Sequence, residues 1–257
     1  MTSVARREQR AALLIAHPGH ELRVHHWIER TRPLVLVLTR GDGHSRASRL
    51  MSTTRVLERA GATIGPVYGR WRDADVYDAL VGGDVPVFTS ALAEIVDVLV
   101  GAGIDVLAAD AEERYNPSHD LCRYLAAAAA ARVRKATGRS LVDLEFPLVG
   151  PPSSRHAGDD AQAVVVHLDE TALDRKLEAA RHYPELAAEV EHAVATFGRS
   201  AFGTEFLTHA RTSPLDASEQ PYYETYGAAQ VAAGRYARLI TYADHVRPVR
   251  AALDTPA

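Results

Sequence analysis

Cysteine is almost absent: the 257 residues contain one, Cys122. A single thiol excludes an internal disulfide framework and suits a reducing cytosol. A strong excess of either charge is missing as well. With 29 basic and 33 acidic residues the formal net charge is −4, so there is no electrostatic footprint for nucleic acid or an anionic membrane surface. Long apolar runs are also lacking. The opening MTSVARREQRAALLIAHPGH has basic residues and then an apolar stretch, as a secretory signal would. AALLIA is only as long as a strand, however, and polar HPGHE follows at once, which argues against a signal sequence or a membrane span. The expectation is a cytoplasmic protein without nucleic-acid or membrane partners. Hydrophobic residues make up 47% and charged residues 24%, enough for a sizeable core.

The apolar pattern alternates between strand and helix. Residues 11–16 (AALLIA) and 34–39 (LVLVLT) are continuous apolar runs of strand length, as expected for strands covered on both faces. A short helix is predicted over 21–30, and helical spacing runs over 48–62 and 87–100. Residues 104–108 (IDVLA) give the next strand. An Ala-rich helix covers 118–137 and stops at Gly138, and residues 141–146 alternate like a strand. Beyond the loop-like 151–160 come a strand over 163–168 and helices at about 170–183 and 184–197. The predicted class is α/β: a Rossmann-like, mostly parallel sheet with helices on both faces, in a single domain. Its core is placed at about 8–200, with 201–257 as a C-terminal wrap. No internal repeat is visible.

In such sheets ligands bind beyond the carboxyl ends of the strands. HPGHE directly follows the first strand, and AADAEERYNPSHD follows the strand at 104–108, so two histidine-bearing loops share one edge. His17 and His20 flank a Pro-Gly turn that lets both rings face one point. His119, at the start of the long helix, is the best-placed third imidazole, and Asn116 or Ser118 is positioned to cap that helix. Three protein ligands and one open position are the pattern of a catalytic zinc site. Zinc is therefore the expected cofactor, with another divalent transition metal such as iron or nickel as the alternative. Asp110 ends the strand beside this edge, where it would orient a ligand or cap the loop. Cys122 reads as a small buried thiol, and His25 and His26 as packing residues. Tyr222, Tyr223 and Tyr226 read as packing, although aromatic walls also suit sugars.

AHPGHE (16–21) resembles the AHPDDE motif of the LmbE/PIG-L family of zinc-dependent de-N-acetylases. The resemblance extends through LVLVLTRGDGHS (34–45), RLMSTTRVLERAGA (49–62) and YNPSHDLCRYLA (115–126), the last similar to the family's H-P-D-H segment. It continues in ALDRKLEAARHYPEL (172–186) and PYYETYGAAQVAAGRYARLITYADH (221–245). It implies a Rossmann-like fold and hydrolysis of an N-acyl amide, often an N-acetyl amino sugar. Carried over by position, the metal ligands fall on His17, His20 and His119, and a substrate-contacting arginine on Arg49. Asp42 and His44, in the loop after the second strand, are further candidates for binding an amino-sugar-like small molecule; Arg46 and His156 are weaker ones.

Three departures from the family pattern bear on activity. Gly19 stands where the family has its general base, Ser52 replaces the Glu of R-x-x-E, and NPSH replaces H-P-D-H. Losing a positioned base costs about two to four orders of magnitude in rate. Conversely, His20 in place of an anionic ligand leaves a three-imidazole site with the ion's full charge, which acidifies bound water. Gly19 is expected to open space beside the ion, and Glu21 and Asp120, each following a candidate ligand, are the candidate bases. Three functions follow: a metal-dependent amide hydrolase removing acetyl from an amino-sugar-like molecule; a metal enzyme of another reaction type on a metabolite; or an inactive sugar- or partner-binding descendant. Homo-oligomerisation is left open.

Overall fold

The computed structural model describes residues 9–43, 47–154, 163–211 and 219–255. Its centre is β1 (Ala11–Ile15), buried along its whole length. Successive side chains enter opposite cores: Ala12 and Leu14 join one cluster, Leu13 and Ile15 the other. In β2 (Leu34–Thr39), Leu36 and Leu38 face the first cluster and Val35 and Val37 the second. These runs lack polar alternation because neither face meets water.

With β3 (Thr63–Trp71), β4 (Val106–Asp110), β5 (Val142–Phe146), β6 (Val164–His167) and β7 (Thr204–His209), the sheet order is β3-β2-β1-β4-β5-β7-β6. The first five strands run parallel; β7 pairs antiparallel with β5 and with β6. The chain therefore leaves β1 towards one edge and returns on its other side at β4. The order therefore reverses at β1 and β4, and in such sheets ligands bind beyond the carboxyl ends of the strands at that point.

Helices cover both faces. α4 (Val85–Gly101) and α5 (Pro117–Thr137) pack on one side through Phe88, Leu92, Leu121 and Leu125. α1 (His25–Thr31) and α2 (Leu50–Arg59) supply Trp27, Ile28 and Leu57 on the other. The C-terminal stretch comprises α8 (Tyr222–Ala232), a π-helical turn (Tyr242–Val246) and α9 (Arg247–Asp254); Val249 and Leu253 of α9 join the core of α4 and α5. Among the described residues no helix is long and apolar enough to cross a membrane.

Several elements differ from the sequence pattern. Residues 63–82, to which the pattern assigns nothing, hold β3 and then α3 (Asp73–Gly82). Gly65, Pro66 and Gly69 hide the strand, and proline is tolerated because β3 is an edge. β7 is masked by Glu205 and Thr208, polar residues that are nonetheless buried. The helix expected over 21–30 divides into a 3₁₀ turn, His20–Val24, followed by α1.

β7 also fastens the start of α1. Glu205 accepts from the backbone N–H groups of His26 (2.9 Å) and Trp27 (2.8 Å), and from Lys176 Nζ at 2.8 Å. Lys176 lies in α6 (Glu170–Arg181) and also donates to the Arg23 carbonyl at 2.9 Å. The helix whose lysine resembles the family's late helix therefore clamps the segment that follows HPGHE.

Buried Glu145 on β5 makes stability depend on pH. Desolvation raises its carboxyl to about 7, against the opposing pull of Arg123. The folded chain then holds a proton that the unfolded chain has already released, so this group lowers stability as pH rises from about 4.5 to about 7. Glu145→Gln should remove that slope and stabilise the protein at pH 8 by about 2–3 kcal/mol relative to the native chain. Denaturant titrations of both proteins at pH 5 and pH 8 test it; equal slopes would refute it.

Candidate metal centre

The turn after β1 depends on Gly19, whose φ of 107° lies where a side chain is strained. Its N–H donates to Glu21 Oε2 at 2.7 Å, which fixes the turn with His17 on one side and His20 on the other. His119 arrives in the first turn of α5, capped as expected: Asn116 Oδ1 accepts the Ser118 N–H at 2.8 Å. The three imidazoles meet edge to face, with ring centres 5.3 Å (His17–His20), 5.2 Å (His17–His119) and 4.6 Å (His20–His119) apart.

Two of the rings are held from behind. His17 Nδ1 lies 2.7 Å from Thr39 Oγ1 at the end of β2 and 3.3 Å from Asp73 Oδ1. His20 Nδ1 lies 2.9 Å from Asp110 Oδ2, which also accepts the Ala16 N–H at 2.8 Å. A carboxylate or hydroxyl behind Nδ1 leaves Nε2 as the free nitrogen, the usual support for a ligating histidine. Of the two roles open to Asp110, it performs both, orienting a ring and tying down a loop. Burial lowers the pKa of His17, opposed by Asp73, and lowers that of His119 further, with His20 and His17 adding to the effect. Both are therefore held neutral, with lone pairs available.

Three imidazoles on one tetrahedral ion, with bonds of about 2.0–2.1 Å, have ring centres about 5 Å apart. The observed spacing fits, as does the chemistry of neutral rings backed by acids and a hydroxyl. His119 Nδ1 is buried without a hydrogen-bond partner, so this ring is not backed as the other two are. Among the described residues no group of three or more His, Cys, Asp or Glu side chains has its donor atoms arranged to hold a metal ion. What fits an ion is the chemistry and spacing of the rings, short of converged donor atoms.

The remaining candidates separate. Arg49 directly precedes α2 without capping it, donates from Nε to the Gly41 carbonyl at 2.7 Å, and lies within electrostatic reach of His119. Asp42 Oδ1 accepts the Asp73 N–H at 2.9 Å, while Asp73 Oδ2 accepts the Gly43 N–H at 2.8 Å. Asp42 thus works as a loop tie that sets Asp73 behind His17. Asp120 Oδ1 accepts the N–H groups of Glu113 (3.1 Å) and Arg114 (3.0 Å), and desolvation, with Glu112 nearby, raises its carboxyl to about 8. Glu21 is fully buried, which raises its carboxyl, and the Thr53 side chain opposes that shift. His44, Arg46 and His156 lie outside the described residues.

Gly19 does not open space. A Cβ placed there would lie 2.5 Å from Leu186 Cδ1 and 3.8 Å from the Tyr183 hydroxyl. Leu186 belongs to a 3₁₀ turn, Pro184–Leu186, between α6 and α7 (Ala187–Phe197), and it fills the volume the glycine leaves. Tyr183 is anchored beneath it, 2.9 Å from Thr53 Oγ1 and 3.2 Å from the Arg49 carbonyl. Glu185 of the same turn accepts from Ser52 Oγ at 2.8 Å, bringing a carboxylate to the position where the family carries a glutamate. Sequence reasoning missed Thr39, Asp73, Tyr183 and Leu186; Asp73 was obscured because β3 and α3 were.

No protein-family profile and no curated protein sequence matches the chain. Its fold matches solved structures. The conserved protein TT1542 from Thermus thermophilus aligns with a TM-score of 0.56 at 19% identity, covering 82% of this chain and 100% of that one. The zinc-inhibited form of teicoplanin deacetylase Orf2 aligns at 0.51 and 12%, over 80% and 100%. The antimicrobial pseudoaglycone deacetylase Dbv21 aligns at 0.52 and 14%, over 80% and 100%. The chain has the α/β fold of these three proteins, two of them deacetylases, in agreement with its LmbE/PIG-L resemblance.

Proposed function

We propose that the chain is a metal-dependent hydrolase that removes an acyl group, acetyl in the simplest case, from an amino-sugar-like small molecule. The observation that carries this reading is the meeting of three imidazoles about 5 Å apart at the carboxyl edge of β1 and β4. Support also comes from the fold, which is shared with proteins known as deacetylases. Zinc, or another divalent transition metal, held by His17, His20 and His119 with one position open, would supply Lewis acidity to the amide carbonyl and to attacking water.

The chain's own residues have separable tasks. Thr39, Asp73 and Asp110 hold the rings of His17 and His20. Because all three ligands are neutral, none offsets the ion's charge, which partly compensates for the missing aspartate. Arg49 flanks His119, where it would hold a substrate hydroxyl or carboxylate. Glu21, fully buried next to His20 with the Thr53 side chain and the Gly19 N–H on its carboxylate, is the acceptor for a proton; Asp120, committed to the 113–114 amides, supports the loop.

A panel of N-acetylated sugars assayed with zinc-loaded protein tests the reading, and acetate release from at least one is the expected result. Glu21→Gln keeps a side-chain oxygen for the Gly19 N–H and should lower kcat by about 10²–10⁴ while leaving ion content unchanged. A variant as active as the native chain would remove Glu21 from the reaction. A second reading, an ion-holding binding protein without hydrolytic activity, is favoured by Leu186 filling the place of the family's base. Stoichiometric zinc with no acyl release from any sugar would select it.

A further inference from the structure

Arg30, Arg32, Arg59 and Arg175 line one small hollow of about 430 Å³, together with His26 and Glu29. Arg32 directly follows α1, and Arg59 ends α2. The two loops meet at the amino ends of β2 and β3, where the Thr63 N–H donates to the Pro33 carbonyl at 3.0 Å. The hollow therefore lies at the opposite edge of the sheet from the imidazoles.

Its one acid is already engaged. Glu29 accepts from Nε (2.7 Å) and Nη2 (2.9 Å) of Arg175 and lies 2.7 Å from His26 Nδ1. Against the cost of burial, these partners hold its carboxyl down at about 2. Arg30, Arg32 and Arg59 have no acid partner among the described residues.

Like charges gathered in one place repel unless an anion offsets them. Helix ends account for part of the cluster, since Arg30 and Arg59 stand in the last turns of α1 and α2, where cations suit the dipole. They do not account for Arg175, in the middle of α6, or for Arg32. Arg32 takes the left-handed position that closes α1, φ 45°, which helices usually give to glycine. Backbone strain of this kind tends to collect at functional sites. Gly61 lies alongside, and a Cβ added there would stand 3.6 Å from both Cδ and Nε of Arg32. The Arg32 stem thus crosses a glycine along the wall of the hollow.

We infer that this hollow binds a small, charge-dense anion carrying two or more phosphate groups, at a site separate from the imidazoles. Guanidinium forks match phosphate oxygens two at a time, and four forks offer more donors than one phosphate can use. The volume falls within the range of small-molecule pockets, about 300–1,000 Å³. A long polyanion fits less well, because the net charge of −4 on the whole chain opposes it.

Titration calorimetry of the metal-free full chain tests this with inorganic phosphate and pyrophosphate as probes. With metal removed, no ion at the imidazoles competes for either probe. Pyrophosphate should bind about tenfold tighter than phosphate, or better. Arg32→Ala and, separately, Arg59→Ala should each weaken it about tenfold, the size of one charge-assisted hydrogen bond. Arg235→Ala, outside the hollow, should leave it unchanged. Glu29→Gln removes the one acid and should tighten binding, a gain that a misfolded variant could not mimic. No binding of pyrophosphate, weaker binding in Glu29→Gln, or equal weakening by Arg235→Ala would overturn the inference. So would tighter, Arg32-dependent binding to a DNA duplex or to phosphatidylglycerol vesicles, which would make the partner a polyanionic surface.

Discussion

His119→Ala should abolish ion binding and turnover together. With two imidazoles left, ion affinity is expected to fall by more than about a hundredfold, beyond the loss incurred when a merely supporting residue is removed. Acyl release should drop by about three orders of magnitude or more, since the Lewis acid supplies several kcal/mol of transition-state stabilisation. The fold should survive, because His119 Nδ1 forms no hydrogen bond and the ring is only partly buried. Metal analysis after gel filtration, paired with acetate release, reads both effects. A variant with native ion content would show that the three rings are not a ligand set, and the proposed hydrolase would fall with it.

Lys176→Met should produce the largest loss of stability. The Lys176–Glu205 pair is almost wholly buried, with side-chain exposures of 5% and 0%. Removing the cation leaves a carboxylate in the core whose charge only two backbone N–H groups partly offset, which costs about 3–5 kcal/mol. For a domain of this size that corresponds to a fall of about 10 °C in Tm. Adding Glu205→Gln should restore more than half of it, because a neutral amide oxygen can still accept from His26 and Trp27. Thermal unfolding in the presence of chelator makes the comparison independent of metal. A single variant as stable as the native chain would mean that water reaches Glu205. Since the pair clamps Arg23 and the start of α1, just after His20, the single variant should also bind the ion more weakly.

The strands around the site were legible because they are apolar throughout. Residues 34–39 form β2 with the bounds their pattern predicts, and the long helix ends at Thr137 as predicted but begins one residue earlier, at Pro117. The three histidines were legible for a related reason: each stands where a strand or helix boundary coincides with a polar loop. The environment of those rings was less so. Asp73 reaches His17 from the first residue of α3, just after an edge strand interrupted by glycine and proline, and its place is set by a reciprocal tie with Asp42 and Gly43 across about 30 residues.

Gly19 marks the limit more sharply. A motif that loses a carboxylate at that position suggests open room, and only packing reveals that Leu186, 167 positions later, occupies it. Local periodicity and residue chemistry specify which segments become strands and helices and which side chains are able to ligate, since both depend on neighbours along the chain. How those side chains are oriented, backed and enclosed depends on contacts between residues far apart in sequence, and these exist only once the sheet has assembled and α6 has closed over the turn.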